Sequence, residues 1–113
     1  MHELSLAVDL LAALEQKLGP GDNRVVRVIV SVGSATGIAP ESLRLAFRAI
    51  VVGTRADGAE LSLTNVAARS RCVCGIIFYS EGVISQCPEC GLLGGKILSG
   101  DEVMLRAIEV SDV

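Results

Sequence analysis

Along the first twenty residues the apolar positions recur at helical steps. Leu4, Ala7, Leu11, Leu14 and Leu18 share one stripe, flanked by Val8 and Leu10, with Ser5, Asp9 and Gln16 opposite. This predicts an amphipathic helix over about residues 3–18, packed on its leucine stripe and stopped by Gly19-Pro20-Gly21. The period then drops to two. Val26, Val28, Val30 and Val32 alternate with Arg27, Ile29 and Ser31, as expected of a strand whose valine face lies on the helix. A turn over Gly33 to Gly37 leads to Pro40, well placed to open a second helix, with Glu41 near its positive end. Leu43, Ala46, Phe47 and Ile50 supply that helix's buried stripe, and Gly53 closes it. Leu61 and Leu63 alternate with Glu60, Ser62 and Thr64 in a further strand. Val103, Leu105, Ile108 and Val110 make residues 102–110 compatible with a last one. Helix, strand, helix, strand, insert and strand give an α/β (α+β) layer of two helices on a small sheet.

Composition narrows the chemistry. Half of the 113 residues are hydrophobic, but only Phe47, Phe78 and Tyr79 are aromatic, so the core is aliphatic and stacking platforms for single-stranded nucleic acid are scarce. The net charge is -3 with Lys and Arg scattered, which argues against a nucleic-acid partner. Glu3 and Asp9 stand where a secretory signal needs a basic start. No run approaches the roughly 18 apolar residues that cross a bilayer. The expectation is a cytoplasmic protein with no membrane partner, in which four cysteines serve a metal more readily than disulfides.

Those cysteines form two pairs: Arg71-Cys72-Val73-Cys74-Gly75 and, with twelve residues between Cys74 and Cys87, Cys87-Pro88-Glu89-Cys90-Gly91. Paired cysteines each followed by glycine resemble the two turns of a zinc ribbon, where four thiolates close a structural tetrahedral site. Ile76, Ile77, Phe78 and Tyr79, with Val83 and Ile84, would supply a short hairpin between them. So small an insert has little core of its own, and metal binding would be its folding energy. The first pair has a one-residue gap, a tighter chelate with fewer turn amides to hydrogen-bond the first sulfur. A three-cysteine site, an iron–sulfur centre or a redox pair stay open on spacing alone. A catalytic cysteine is disfavoured, since His2 is the one histidine and so the one candidate base.

That histidine stands second, in Met1-His2-Glu3. The Met1 amine, the His2 amide and imidazole and the Glu3 amide can present four nitrogens to one ion, a donor set for Cu(II) or Ni(II) and not for tetrahedral zinc. On these three residues alone, the plain reading is a polar terminus with a chance histidine.

Taken in order, Met1-His2-Glu3-Leu4-Ser5, Ile38-Ala39-Pro40-Glu41-Ser42-Leu43, Phe47, Gly53-Thr54, Ala59-Glu60-Leu61, Cys87-Pro88-Glu89-Cys90-Gly91 and Ile108-Glu109-Val110 resemble the HypA/HybF family of nickel-insertion proteins for [NiFe] hydrogenase. The resemblance implies a nickel domain of residues 1–69 and 96–113 and a zinc-ribbon domain of residues 70–95. It implies Ni(II) on nitrogens of Met1, His2 and Glu3 and Zn(II) on Cys72, Cys74, Cys87 and Cys90, with the Glu3 carboxylate serving support or partner recognition. The function implied is that of a metallochaperone and not an enzyme. The partners implied are a nickel-handling GTPase, the hydrogenase large subunit and, in some organisms, urease maturation proteins. One departure is the Cys72-Val73-Cys74 gap, since the family has two residues there; Arg71 then stands at the expected first-ligand place and Cys72 takes over its role. Two rivals come from other classes. One is a zinc-ribbon module binding protein or nucleic acid, which lacks a basic face; the other is a dithiol redox or sulfur carrier on Cys87 and Cys90.

Overall fold

The computed structural model describes residues 2–82 and 84–111, with His2 described by its backbone. Two helices, α1 (His2–Leu18) and α2 (Pro40–Ile50), accompany six strands: β1 (Val25–Gly33), β2 (Glu60–Val66), β3 (Ala68–Arg71), β4 (Ile77–Ser80), β5 (Lys96–Ser99) and β6 (Val103–Val110). The strands form two three-stranded sheets, in the orders β2-β1-β6 and β4-β3-β5. The chain divides into two compact units, one of Met1–Val30, Ile38–Leu63 and Leu105–Val113, the other of Ser31–Gly37 and Thr64–Met104.

In the first unit α1 packs on α2. Its core is aliphatic around one ring: Ala7, Leu10, Leu14, Val28, Val30, Leu43, Phe47 and Val51 are buried. Burying each of the larger of these side chains contributes roughly 1.5–3 kcal/mol. The buried stripe of α1 is Ala7, Leu10 and Leu14, not the predicted line through Leu4 and Leu11; Leu4 is 56% exposed. Steps of three and four lead from Ala7 to Leu14 through either leucine, so periodicity could not choose, and packing against α2 did. On β1 the even-numbered valines Val28, Val30 and Val32 are buried as expected, but the alternation with them is lost at Ser31, also buried, and at the strand's start. Val26 is 49% exposed and Val25 takes the buried place. The cause is an anchor: the Val25 N–H donates to the Arg55 carbonyl at 2.9 Å. The Arg55 side chain in turn donates to the carbonyls of Asn23 and Gly19, at 2.8 and 3.0 Å. This ties the turn after α2 to the entry into β1.

The second unit is built on β3. It pairs antiparallel with β4, Ala68 opposite Ser80 and Arg71 opposite Ile77, and with β5, Arg71 opposite Lys96. The hairpin expected between Ile76–Tyr79 and Val83–Ile84 is therefore replaced by one between β3 and β4. Val83 lies outside the described residues, and Ile84 is 74% exposed outside any strand. A polar residue won over an apolar run here: the Ser34 hydroxyl donates to the Ser80 carbonyl (2.8 Å) and accepts from the Ala68 N–H (2.7 Å), fixing the open end of the hairpin. Cys72, Phe78 and Cys87 form the small buried cluster beneath the cysteine turns.

Candidate metal centre

The β3–β4 hairpin makes the first cysteine turn. The Cys72 N–H donates to the Ile76 carbonyl, and the Gly75 N–H donates to the Cys72 carbonyl, each at 2.9 Å. The second turn repeats the scheme with one residue more. The Cys87 N–H donates to the Leu92 carbonyl at 3.0 Å, and the Gly91 N–H to the Cys87 carbonyl at 2.9 Å. Both glycines adopt left-handed backbone, at φ +96° for Gly75 and +78° for Gly91, which explains a glycine directly after each pair. An isolated bridge between Gln86 and Leu93 closes the second turn.

The two turns bring all four predicted sulfurs together. The Sγ atoms of Cys72, Cys74, Cys87 and Cys90 all lie within 4.8 Å of one another. Cys72 faces Cys90 at 3.4 Å and Cys74 faces Cys87 at 3.7 Å, so each turn's first cysteine meets the other's second. Four thiolates about 2.3 Å from one ion would stand ~3.8 Å apart, close to these separations. Cys72 and Cys87 are buried, Cys74 and Cys90 exposed, and none forms a disulfide. The donor set and its closure fit a structural zinc ion, which would cross-link the two turns and carry no reaction.

The cluster's own electrostatics are uneven. Backbone N–H groups of Cys90 and, behind the opposing effect of burial, Glu89 draw the Cys87 thiol down to about 7, with Cys74 and Cys90 adding to the pull. Cys90 is pushed up to about 12 although the Leu92 N–H works against it, because Cys72, burial, Cys87 and Cys74 together outweigh that bond. Cys74 is also raised, against the Ile76 N–H, by burial and by the sulfurs of Cys72 and Cys87. Of the three shifted thiols, Cys87 alone is drawn toward its ionised form. A family model described as hydrogenase/urease nickel incorporation, metallochaperone, HypA matches residues 1–110.

The chain belongs to the HypA family. Relatives carrying the name hydrogenase maturation factor HypA include one from Chlorobium limicola, 39% identical over 114 residues, covering 99% of this chain and 98% of that one. Another, from Desulfitobacterium hafniense, is 35% identical over 114 residues and is covered in full. The solution structure of the Ni metallochaperone HypA from Helicobacter pylori superposes with a TM-score of 0.66 over 96% of each chain. At 20% identity that likeness shows the fold, two helices with small sheets, and no more.

The second candidate site, Met1-His2-Glu3, falls at the start of α1. Met1 and the His2 side chain lie outside the described residues; the His2 backbone and Glu3 belong to the first turn of the helix. The i−4 hydrogen-bond ladder of a helix begins beyond its first turn, so the amide nitrogens of that turn are not committed to it. Among the described residues no helix is long and apolar enough to cross a membrane. Sequence reasoning missed β3, β5 and the Ser34 bridge. Their segments are short and polar, and only the serine's contacts, not its spacing, single it out.

Proposed function

We propose that this HypA-family protein is a cytoplasmic nickel metallochaperone, not an enzyme, with Ni(II) as its cargo. Nickel is held at the start of α1 by the Met1 amine, the His2 amide and imidazole and the Glu3 amide. Zn(II) is held by Cys72, Cys74, Cys87 and Cys90 and ties together the ribbon domain, residues 70–95, inserted in a nickel domain of residues 1–69 and 96–113. The metal is handed over for maturation of [NiFe] hydrogenase, with a nickel-handling GTPase, the hydrogenase large subunit and urease maturation proteins as partners. The observation that carries this reading is the family match from residue 1, which takes in the Met-His-Glu start together with the cysteine pairs. Four free thiols suit a reducing compartment.

The chemistry supports delivery from a site at the end of a helix. Amide nitrogens bind a metal only on losing their protons, so acid loosens the ion. Copper would outcompete nickel for such nitrogens, so selection rests on supply and docking and not on affinity. The deciding test is nickel titration of the protein with a free Met1 amine beside His2→Ala, zinc content being counted in both. One nickel per chain, absent in His2→Ala while one zinc remains, is the expected result. Unchanged nickel binding in His2→Ala would overturn the reading.

A further inference from the structure

Between α2 and the outer edge of β2 lies a cavity of about 300 Å³, lined by Arg44, Phe47 and Arg48 on the helix and by residues 59–63 on the strand side. Ala59 precedes β2 and Glu60 to Leu63 follow one another along it; since consecutive strand side chains point to opposite faces, such a run reaches the cavity through its backbone edge as well as its side chains. β2 is the outer strand of the order β2-β1-β6, and its far side has no strand partner among the described residues. Backbone N–H and C=O groups on such an edge are a template for another strand. One of its carbonyls, that of Leu61, receives the Arg44 Nε at 3.4 Å, long for a charged donor and easily displaced. Arg44 also holds Glu41 at 2.6 Å. Arg48, a helical turn further on, is exposed and has no hydrogen-bond or ion-pair partner among the described residues. Glu60, on the opposite rim, is drawn to Arg27 at 3.9 Å.

We propose that this edge docks an extended acidic segment of a partner protein as an added strand, its carboxylates meeting Arg48 and Arg44. The spacing favours that occupant. Residues four apart on a helix are separated by ~6 Å along its axis, and same-face residues of a strand repeat every ~6.6 Å. Carboxylates at alternate positions of the segment, all on one face, therefore reach both guanidiniums while its backbone pairs with β2. Main-chain pairing supplies affinity and the arginines supply the preference for acid. Nothing in this docking requires nickel or zinc, so it stands apart from the metal reading.

The test uses the zinc-loaded protein and a short fluorescent peptide of alternating valine and glutamate. A lysine counterpart and a counterpart N-methylated on the pairing side serve as comparisons. The glutamate peptide is expected to bind at least about tenfold tighter than the lysine peptide, and N-methylation to abolish binding. Arg48→Glu, at an exposed helical position, is expected to reverse the preference. In the complex the outward-facing amides of β2, those of Leu61 and Leu63, gain protection from hydrogen exchange. Equal binding of both peptides, an unchanged preference in Arg48→Glu, or protection falling elsewhere than β2 would each overturn the proposal.

Discussion

Cys72 and Cys87 hold matching places in two turns of unequal length. Each is the buried first cysteine of its pair, and each places its sulfur against the second cysteine of the other turn, at 3.4 and 3.7 Å. The N–H of Cys72 closes on Ile76, four residues on, and that of Cys87 closes on Leu92, five residues on. The missing residue is absorbed inside the first turn, and the strands on either side of it still pair in register from Arg71 and Ile77 back to Ala68 and Ser80.

The shorter turn has one amide fewer to offer its first sulfur. In the longer turn the N–H groups of both Glu89 and Cys90 act on Cys87. Inserting one residue between Val73 and Cys74 is therefore expected to slow zinc loss to a competing chelator. Zinc release followed with a metal indicator checks this, and faster loss in the insertion variant would show that the one-residue gap is the better fit.

In the metal-free chain Cys87, lowered from 9.0 to about 7, favours the folded cluster in its ionised form. That contribution is complete above pH 9 and is lost as pH falls through about 7. Cys90, raised to about 12, acts in the other direction: what it contributes below pH 9 is lost as pH rises toward 12. Thiolate absorbance of the zinc-free protein should show one group ionising near pH 7, and that step should vanish in Cys87→Ser. Cys87 titrating at its ordinary value of 9.0 would mean that the cluster comes apart without its ion.

Phe47, 1% exposed on α2, sits at the centre of the first unit's core. Phe47→Ala removes a ring that small aliphatic neighbours cannot replace, and is expected to destabilise this unit by about 3–5 kcal/mol. Denaturant unfolding measures the loss. Zinc content should stay at the level of the unsubstituted protein, because the cysteine turns rest on Phe78 instead.

The sequence shows its helices and its cysteines more clearly than its sheets, for physical reasons. Helix α2 is announced by Pro40 and Glu41 at its start and by Leu43 and Phe47 four residues apart, signals that are local and redundant. The four cysteines are chemically distinctive, and paired turns leave them few ways to meet. β3, by contrast, is Ala-Arg-Ser-Arg, with no apolar alternation to reveal it. It is a strand because β4 and β5 pair with it on either side and Ser34, 34 residues before it, ties its first residue, contacts that no local pattern reveals. The same limit applies to Val25 and Val26, where a turn anchored by Arg55, and not hydrophobicity, decides which valine is buried.

The nickel reading requires that the amine of Met1 be free, which separates it from any account based on His2 alone. Placing a Gly-Ser dipeptide before Met1 keeps the imidazole and both amides but turns the amine into another peptide nitrogen. Nickel affinity is expected to fall by more than about tenfold, with zinc content unchanged. Chelation also has a conformational consequence. A five-membered ring through the His2 and Glu3 amides flattens the backbone torsion between them, whereas an α-helix holds it near −42°. Nickel loading should therefore unwind the first turn of α1 while the helix beyond Ala7, buried on α2, stays protected. Backbone amide shifts confined to the first turn on titration with nickel, and reversed as the pH is lowered and the amides regain their protons, are the expected signature. Shifts centred on the cysteine turns would instead place the nickel among the thiolates.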